Sequence, residues 1–202
     1  MTEPSERLAR IRARIVEANR RLTYERRPLL SELRRRLIVL RHLHGSIVFE
    51  GPVSIGSGFS LFMPGPGELH VGRNVEFRRD CRIEMDHGSR VVIGDDTQLT
   101  YDVLIQCTGQ VTIGSGCLFA NGASIVDSKH AFRDQTKRLR EQDLEFEKLT
   151  IGDDVWVATK ATIAADVGDH AVVAAHAVVT KPVPAWTLVA GVPARPIEYF
   201  GP

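Results

Sequence analysis

The sequence predicts a mainly β protein: a parallel β-helix of six-residue units preceded by an α-helical segment. An aliphatic residue followed by Gly returns at a spacing near twenty, in Ile55-Gly56, Val71-Gly72, Ile93-Gly94, Ile113-Gly114, Ile151-Gly152 and Val167-Gly168, the self-similarity of stacked coils. A six-residue period runs inside it. Ile151, Val157 and Ile163 are followed four places on by Val155, Ala161 and Val167, and the phase is shared by Val71, Phe77, Ile83, by Ile93, Leu99, Ile105 and by Ile113, Phe119, Ile125.

Neither ordinary regular structure explains that rule. A helix buries positions three and four apart, and an antiparallel strand alternates at two over a longer run. Short parallel strands that stack aliphatic side chains inside a narrow prism, with small residues where the backbone turns, do explain it. Three units then make one triangular coil.

The helical segment reads differently. Residues 5–26 place Leu8, Ile11, Ile15, Ala18 and Leu22 at steps of three and four, an amphipathic helix. Pro28 ends it and opens a second, in which Leu30, Leu33, Leu37 and Leu40 repeat the spacing. Residues 1–44 carry 12 Arg against 5 acidic residues, a net +7 that leaves −6 for the rest of a chain whose total is +1. This stretch is expected to cap the solenoid and join copies, since a bare coil edge invites further strand pairing; a basic amphipathic helix can alternatively lie on an anionic membrane.

Of 202 residues, 43% are hydrophobic and only 6% aromatic, which suits one domain with a small-aliphatic core. Cys81, Cys107 and Cys117 are odd in number, show no metal-ligand spacing, and two fill the small inward position. Free thiols fit a reducing, cytoplasmic compartment. No apolar run is long enough to cross a membrane, and the basic N-terminus lacks the apolar stretch of a secretion signal. Arg-rich helix faces without interleaved aromatics give no nucleic-acid motif.

The repeat, expected over residues 45–197 before a short tail at 198–202, is broken twice. The unit between Ile163 and Val167 is two residues short, so one corner must tighten. Residues 127–148 form a charged insertion, and a long insertion in a regular solenoid is a place for function.

The segments IGDDVWVATKATI, VGDHAVVAAHAVVTKPVP and VAGVPARPI resemble the C-terminal half of hexapeptide-repeat acyltransferases, the group of galactoside, maltose and polysaccharide O-acetyltransferases. The resemblance spans about residues 45–197. It implies a left-handed helix, a homotrimer, acetyl-CoA as acyl donor held between neighbouring prisms, no metal, and a catalytic His on an inserted loop. Asp127 and His130 are similar to the D-x-x-H pattern of the sugar O-acetyltransferases, with Asp127 orienting the imidazole or binding the acceptor. Thioester acyl transfer needs a base for the acceptor hydroxyl, and an imidazole can take that proton and return it to the thiolate.

For the CoA moiety the resemblance carries onto Ala158, Thr159, Ala174, Ala175, Thr180, Lys181 and Arg195. Small side chains let a pantetheine arm approach the backbone, and Lys181 and Arg195 suit the phosphates. Asp102 and Asn121 fall where relatives place polar groups that bind the acceptor, and Arg140 and Gln142 are candidates to reach a neighbouring subunit. His170 and His176 read as surface residues. The fold is shared with zinc-dependent γ-class carbonic anhydrases, but the paired His spacing of that family is missing.

The function expected is direct acetyl transfer to a saccharide or glycoconjugate hydroxyl. Two alternatives are an amino acceptor, on an amino sugar or small xenobiotic, and a non-catalytic scaffold that docks through the insertion.

Overall fold

The computed structural model describes Arg14 and residues 27–202. The helix expected over residues 5–26 falls outside them but for Arg14. Helix α1 spans Arg27–Arg41, with Pro28 in its first turn, where a missing amide costs nothing.

Seven turns of chain then wind as a triangular prism. The first three coils contain β1 (Ser46–Phe49), β2 (Val53–Ile55) and β3 (Ser60–Phe62); β4 (Glu68–Val71), β5 (Val75–Phe77) and β6 (Arg82–Met85); and β7 (Arg90–Ile93), β8 (Gln98–Leu99) and β9 (Leu104–Cys107). The fourth contains β10 (Gln110–Ile113), β11 (Leu118–Phe119) and β12 (Ser124–Val126), followed by an inserted hairpin of β13 (Ser128–His130) and β14 (Leu144–Phe146). The fifth contains β15 (Leu149–Ile151), β16 (Trp156–Val157) and β17 (Thr162–Ile163), the sixth β18 (Val172–Val173) and β19 (Val178–Val179). The chain ends through β20 (Thr187–Ala190) and β21 (Arg195–Tyr199).

Every third strand joins the same parallel sheet. The first face is β1-β4-β7-β10-β15, the second β2-β5-β8-β11-β16-β18-β20 with β21 added, and the third β3-β6-β9-β12-β17-β19. In-register stacking puts the six-residue aliphatic positions in continuous columns. On the second face Ile55, Phe77, Leu99, Phe119, Val157, Val173 and Val189 lie one over the next, each of them buried. Burying a side chain of this size contributes about 1.5–3 kcal/mol, and the column supplies it coil after coil.

The coils are not of one size. Ser46 pairs Glu68 and Glu68 pairs Arg90, so the first two coils take 22 residues each; Arg90 pairs Gln110, a coil of 20. After the insertion Ile151 bridges Val167 and Val167 bridges Val183, two coils of 16. The short unit at Ile163 is thus a regular property of both last coils. The core tapers with the perimeter, from Phe77, Met85 and Phe119 in the long coils to Val157, Ala171 and Ala177 in the short ones.

The recurring aliphatic-Gly pair has a close-packing cause. A Cβ on Gly114 would meet the Gly152 carbonyl oxygen at 2.5 Å, and one on Gly94 would meet the Gly114 carbonyl carbon at 2.6 Å. At this corner each coil rests directly on the backbone of the next. The Asp after the Gly tightens the stack: Asp95 accepts the Arg73 amide at 2.7 Å, Asp153 the Ser115 amide at 2.7 Å and Asp169 the Asp153 amide at 2.8 Å.

Helix α1 covers the open edge of β2. The Ser31 hydroxyl donates to the Val53 carbonyl at 3.0 Å and accepts the Ile55 amide at 2.7 Å, and the Arg34 guanidinium donates to the Ile55 carbonyl at 2.8 Å. The strand's unpaired groups thereby find partners. It is Ser31, Arg34 and half-buried Ile38 that face the coils; Leu30, Leu33, Leu37 and Leu40, whose spacing marked the helix, are exposed. At the far end β21 folds back antiparallel on β20 and closes the same sheet.

Candidate active site

The insertion leaves the third face at the end of β12 and returns into β15, and its root is held by one carboxylate. Asp127, 8% exposed, accepts the Thr108 amide through Oδ1 and the Gly109 amide through Oδ2, both at 2.8 Å. Those amides belong to the corner one coil below. Next to it the Thr108 and Ser128 hydroxyls lie 2.9 Å apart. Asp127, expected to orient the imidazole or bind the acceptor, anchors the hairpin, with both oxygens on backbone amides.

The hairpin itself pairs Ser128 with Phe146, Lys129 with Glu145 and His130 with Leu144. Its strands carry an ion pair, Lys129 to Glu145 at 3.2 Å, and Phe146 lies against Gly109, where a Cβ would collide with the ring at 2.5 Å. The loop beyond is organised by Gln142, which accepts the Asp134 amide at 3.1 Å and donates to the Asp134 carbonyl at 3.0 Å. Gln142 is 8% exposed, so it builds the loop rather than reaching outward. Arg140 lies exposed in a 3-10 turn, Leu139–Glu141. His130 is exposed on β13.

The other candidates divide between the two edges of the third face. At the edge where the hairpin emerges, a groove of about 700 Å³ joins Asp127, Ser128, Lys129, Leu144 and Phe146 to Ala164 and Thr180. Lys181 and Arg195 meet in an adjoining hollow of about 240 Å³ with Pro182, Pro184 and Ala194. Two cationic side chains with small apolar neighbours fit the phosphate end of a nucleotide-bearing thioester.

Ala158, Thr159, Ala174 and Ala175 line the opposite edge. The Val157–Val173 register stacks Ala158 over Ala174 and Thr159 over Ala175, with Ala158 and Ala174 amides bonded to the next coil's Val173 and Val189 carbonyls at 2.8 and 2.9 Å. Asn121 lies a coil below, its carbonyl accepting the Lys160 amide at 2.9 Å and its side chain the Thr100 hydroxyl at 2.8 Å. Asp102 takes φ 57° at the same edge, 4.0 Å from Arg82. A single prism thus keeps these six residues apart from the hairpin that carries His130.

His170 and His176 occupy left-handed corners, φ 58° and 60°, on different edges. His170 bonds Asp154 at 3.0 Å and stacks on Trp186 with ring centroids 4.0 Å apart. Among the described residues no three His, Cys, Asp or Glu side chains converge to hold a metal, and no helix is long and apolar enough to cross a membrane. Burial pushes the thiols of Cys81 and Cys117 up to about 11 and that of Cys107, also facing Asp127, to about 12. All three are core fillers.

Residues of the groove not singled out in the sequence are Lys129 and Ala164. Ala164 was open to discovery: adding the short coil's 16 residues leads from it to Thr180.

No protein-family model matches the chain. It is 27% identical over 166 residues to a probable acetyltransferase of Mycobacterium tuberculosis, covering 81% of this chain and 55% of that one. With the galactoside O-acetyltransferase of Escherichia coli it shares 29% identity over 118 residues, 57% of each chain. The chain thus spans little more than half the length of these two relatives. The solved structure of a galactoside acetyltransferase in complex with coenzyme A superposes with a TM-score of 0.57 at 26% identity, covering 66% of this chain and 65% of that one. Fold and sequence alike are similar to the hexapeptide-repeat acetyltransferases, and the coils are those of a left-handed parallel β-helix.

Proposed function

We propose that the protein is an acetyl-CoA-dependent O-acetyltransferase acting on a saccharide or glycoconjugate hydroxyl, working as a homotrimer. The observation that carries this reading is the groove at the hairpin root, which joins the segment leading to His130 with Thr180 and adjoins the Lys181–Arg195 hollow.

His130 is the general base. Its imidazole takes the proton of the acceptor hydroxyl as the oxygen attacks the acetyl carbonyl, and returns that proton to the departing thiolate. No covalent enzyme intermediate is needed, and the buried, protonated cysteines are unsuited to form one. Lys181 and Arg195 hold phosphate, while the stacked Ala158 and Ala174 let an extended amide arm approach the backbone. Asp102 and Asn121 would orient the acceptor.

A complete site needs two copies, since the hairpin and the alanine edge lie on opposite sides of one face. A hairpin from one prism set beside the alanine edge of the next joins them, and three prisms close the ring.

The deciding experiment titrates acetyl-CoA against wild type and His130→Ala by calorimetry, then follows acetyl transfer to a panel of sugars. Binding by both proteins, with turnover lost only in the variant, is the expected result. A folded, oligomeric wild type that binds no acetyl-CoA would overturn the proposal in favour of a scaffold.

A further inference from the structure

Three arginines converge where α1 meets the first three coils. A hollow of about 530 Å³ is lined by Arg34 from the helix, by Ser54, Ile55, Gly56 and Ser57 from the first coil, by Glu76, Phe77, Arg78 and Arg79 from the second and by Tyr101 from the third. Arg78 and Arg79 both lie over the Tyr101 ring, at 5.8 and 5.5 Å from its centroid. Stacking on an aromatic face orders guanidinium forks at little entropic cost. Arg34 is fixed from the other wall by its 2.8 Å bond to the Ile55 carbonyl.

The charges do not cancel. Arg78 bonds Glu76 at 3.2 Å, and Glu76 is also held by Gln98. Among the described residues Arg34 and Arg79 have no carboxylate partner within 4.0 Å, and the described charged side chains that line the hollow, Arg34, Arg78 and Arg79 against Glu76, sum to +2. Uncancelled, oriented guanidinium groups in a concave site select carboxylate or phosphate, whose oxygens match their forks.

We infer that this hollow binds the anionic group of the acceptor, a phosphate or a carboxylate carried on the saccharide. The inference rests on the acetyl-transfer reading for the acceptor's role, and on the arginines alone for its charge. Location supports it. Arg79 and Tyr101 stand at the edge of the prism that carries Asp102 and, two coils above Arg79, Asn121; at a strand spacing of about 4.8 Å the separation along the axis is roughly 10 Å. A charged group seated on Arg34 and Arg79 leaves the rest of the sugar directed along that edge toward the proposed acceptor residues.

Glucose, glucose 6-phosphate and glucuronate are titrated against wild type and Arg79→Gln. Among the described residues Arg79 makes no side-chain bond to the backbone, so its loss should leave the coils intact, which a thermal melt checks; Arg34→Gln is added where the melt is unchanged. The expected result is binding of one or both charged sugars about tenfold tighter than glucose, the effect of a charge-assisted pair of bonds, weakened by salt and lost in Arg79→Gln. The relative strength of the two charged sugars distinguishes phosphate from carboxylate. Equal binding of charged and neutral sugars, or a preference that survives in Arg79→Gln, overturns the inference. Acetyl-CoA is titrated against the same samples: its failure to bind overturns the acetyl-transfer reading and the acceptor role with it, whereas intact acetyl-CoA binding with no charge preference overturns the anion site alone.

Discussion

Asp127 Oδ2 accepts the Gly109 amide at 2.8 Å, tying the first residue of the insertion to the corner of the coil beneath it. With Oδ1 on the Thr108 amide at the same distance, both oxygens of a buried carboxylate are committed to backbone. Asp127→Asn keeps one acceptor and turns an NH₂ toward an amide donor. It should lower stability by about 1–3 kcal/mol, the cost of a lost charge-assisted bond and an unpaired buried donor. Thermal melts and limited proteolysis within residues 131–143 are the measurements, with acetyl-CoA affinity changing little.

His130→Ala should behave in the opposite way. The side chain is exposed on β13, so the melting temperature should stay within a degree or so of wild type, while acetyl transfer falls by about 10²–10⁴-fold, the usual worth of a general base. An activity loss matched by a drop in melting temperature would assign His130 to the architecture.

Gly114→Ala tests the close approach of coils. Its new Cβ would meet the Gly152 carbonyl oxygen at 2.5 Å, backbone that cannot swing aside. A loss of about 1–3 kcal/mol is expected in denaturant unfolding, as for other overpacked interiors.

The three cysteines should resist alkylation in the folded protein at neutral pH, because burial holds their thiols protonated, with pKa values raised from 9.0 to about 11 or 12. The neutral thiol is favoured by folding, so this contribution is intact below pH 9. It declines as pH rises from there through about 12, where the unfolded chain ionises more readily than the folded one. Iodoacetamide labelling with and without denaturant, and unfolding midpoints across pH 8–11, give the readouts.

Replacing Lys181 and Arg195 together by Ala should weaken acetyl-CoA binding by about tenfold or more with little effect on the melt, since both are exposed. The loss should shrink for a donor lacking the nucleotide phosphates. Equal affinity in the double variant would place the phosphates elsewhere.

The solenoid was legible because its rule is local: Ile151, Val157 and Ile163 announce their faces six residues apart, and the Gly after Ile113 marks a corner whatever surrounds it. Coil length was legible in the same pairs: Val71 to Ile93, Ile93 to Ile113 and Ile151 to Val167 are spaced by the 22, 20 and 16 residues that the strand register gives the coils. Leu30, Leu33, Leu37 and Leu40 marked the second helix by their spacing, but spacing does not say which helix face a sheet edge needs, and the edge of β2 required the polar Ser31 and Arg34. Around the insertion, His130 stood out by position, whereas the partner of Asp127 could not be read from sequence, because the Thr108 and Gly109 amides lie about twenty residues away and carry no side-chain signal. The pairing of Lys181 with Arg195 likewise depends on how β21 folds back.

A stack of parallel strands has no inherent length; each new coil presents the same row of amides and carbonyls that the last one did. Here one sheet is finished at both ends, by Ser31 and Arg34 of α1 below and by β21 above. On that face end-to-end growth into a fibre is stopped by the chain's own groups.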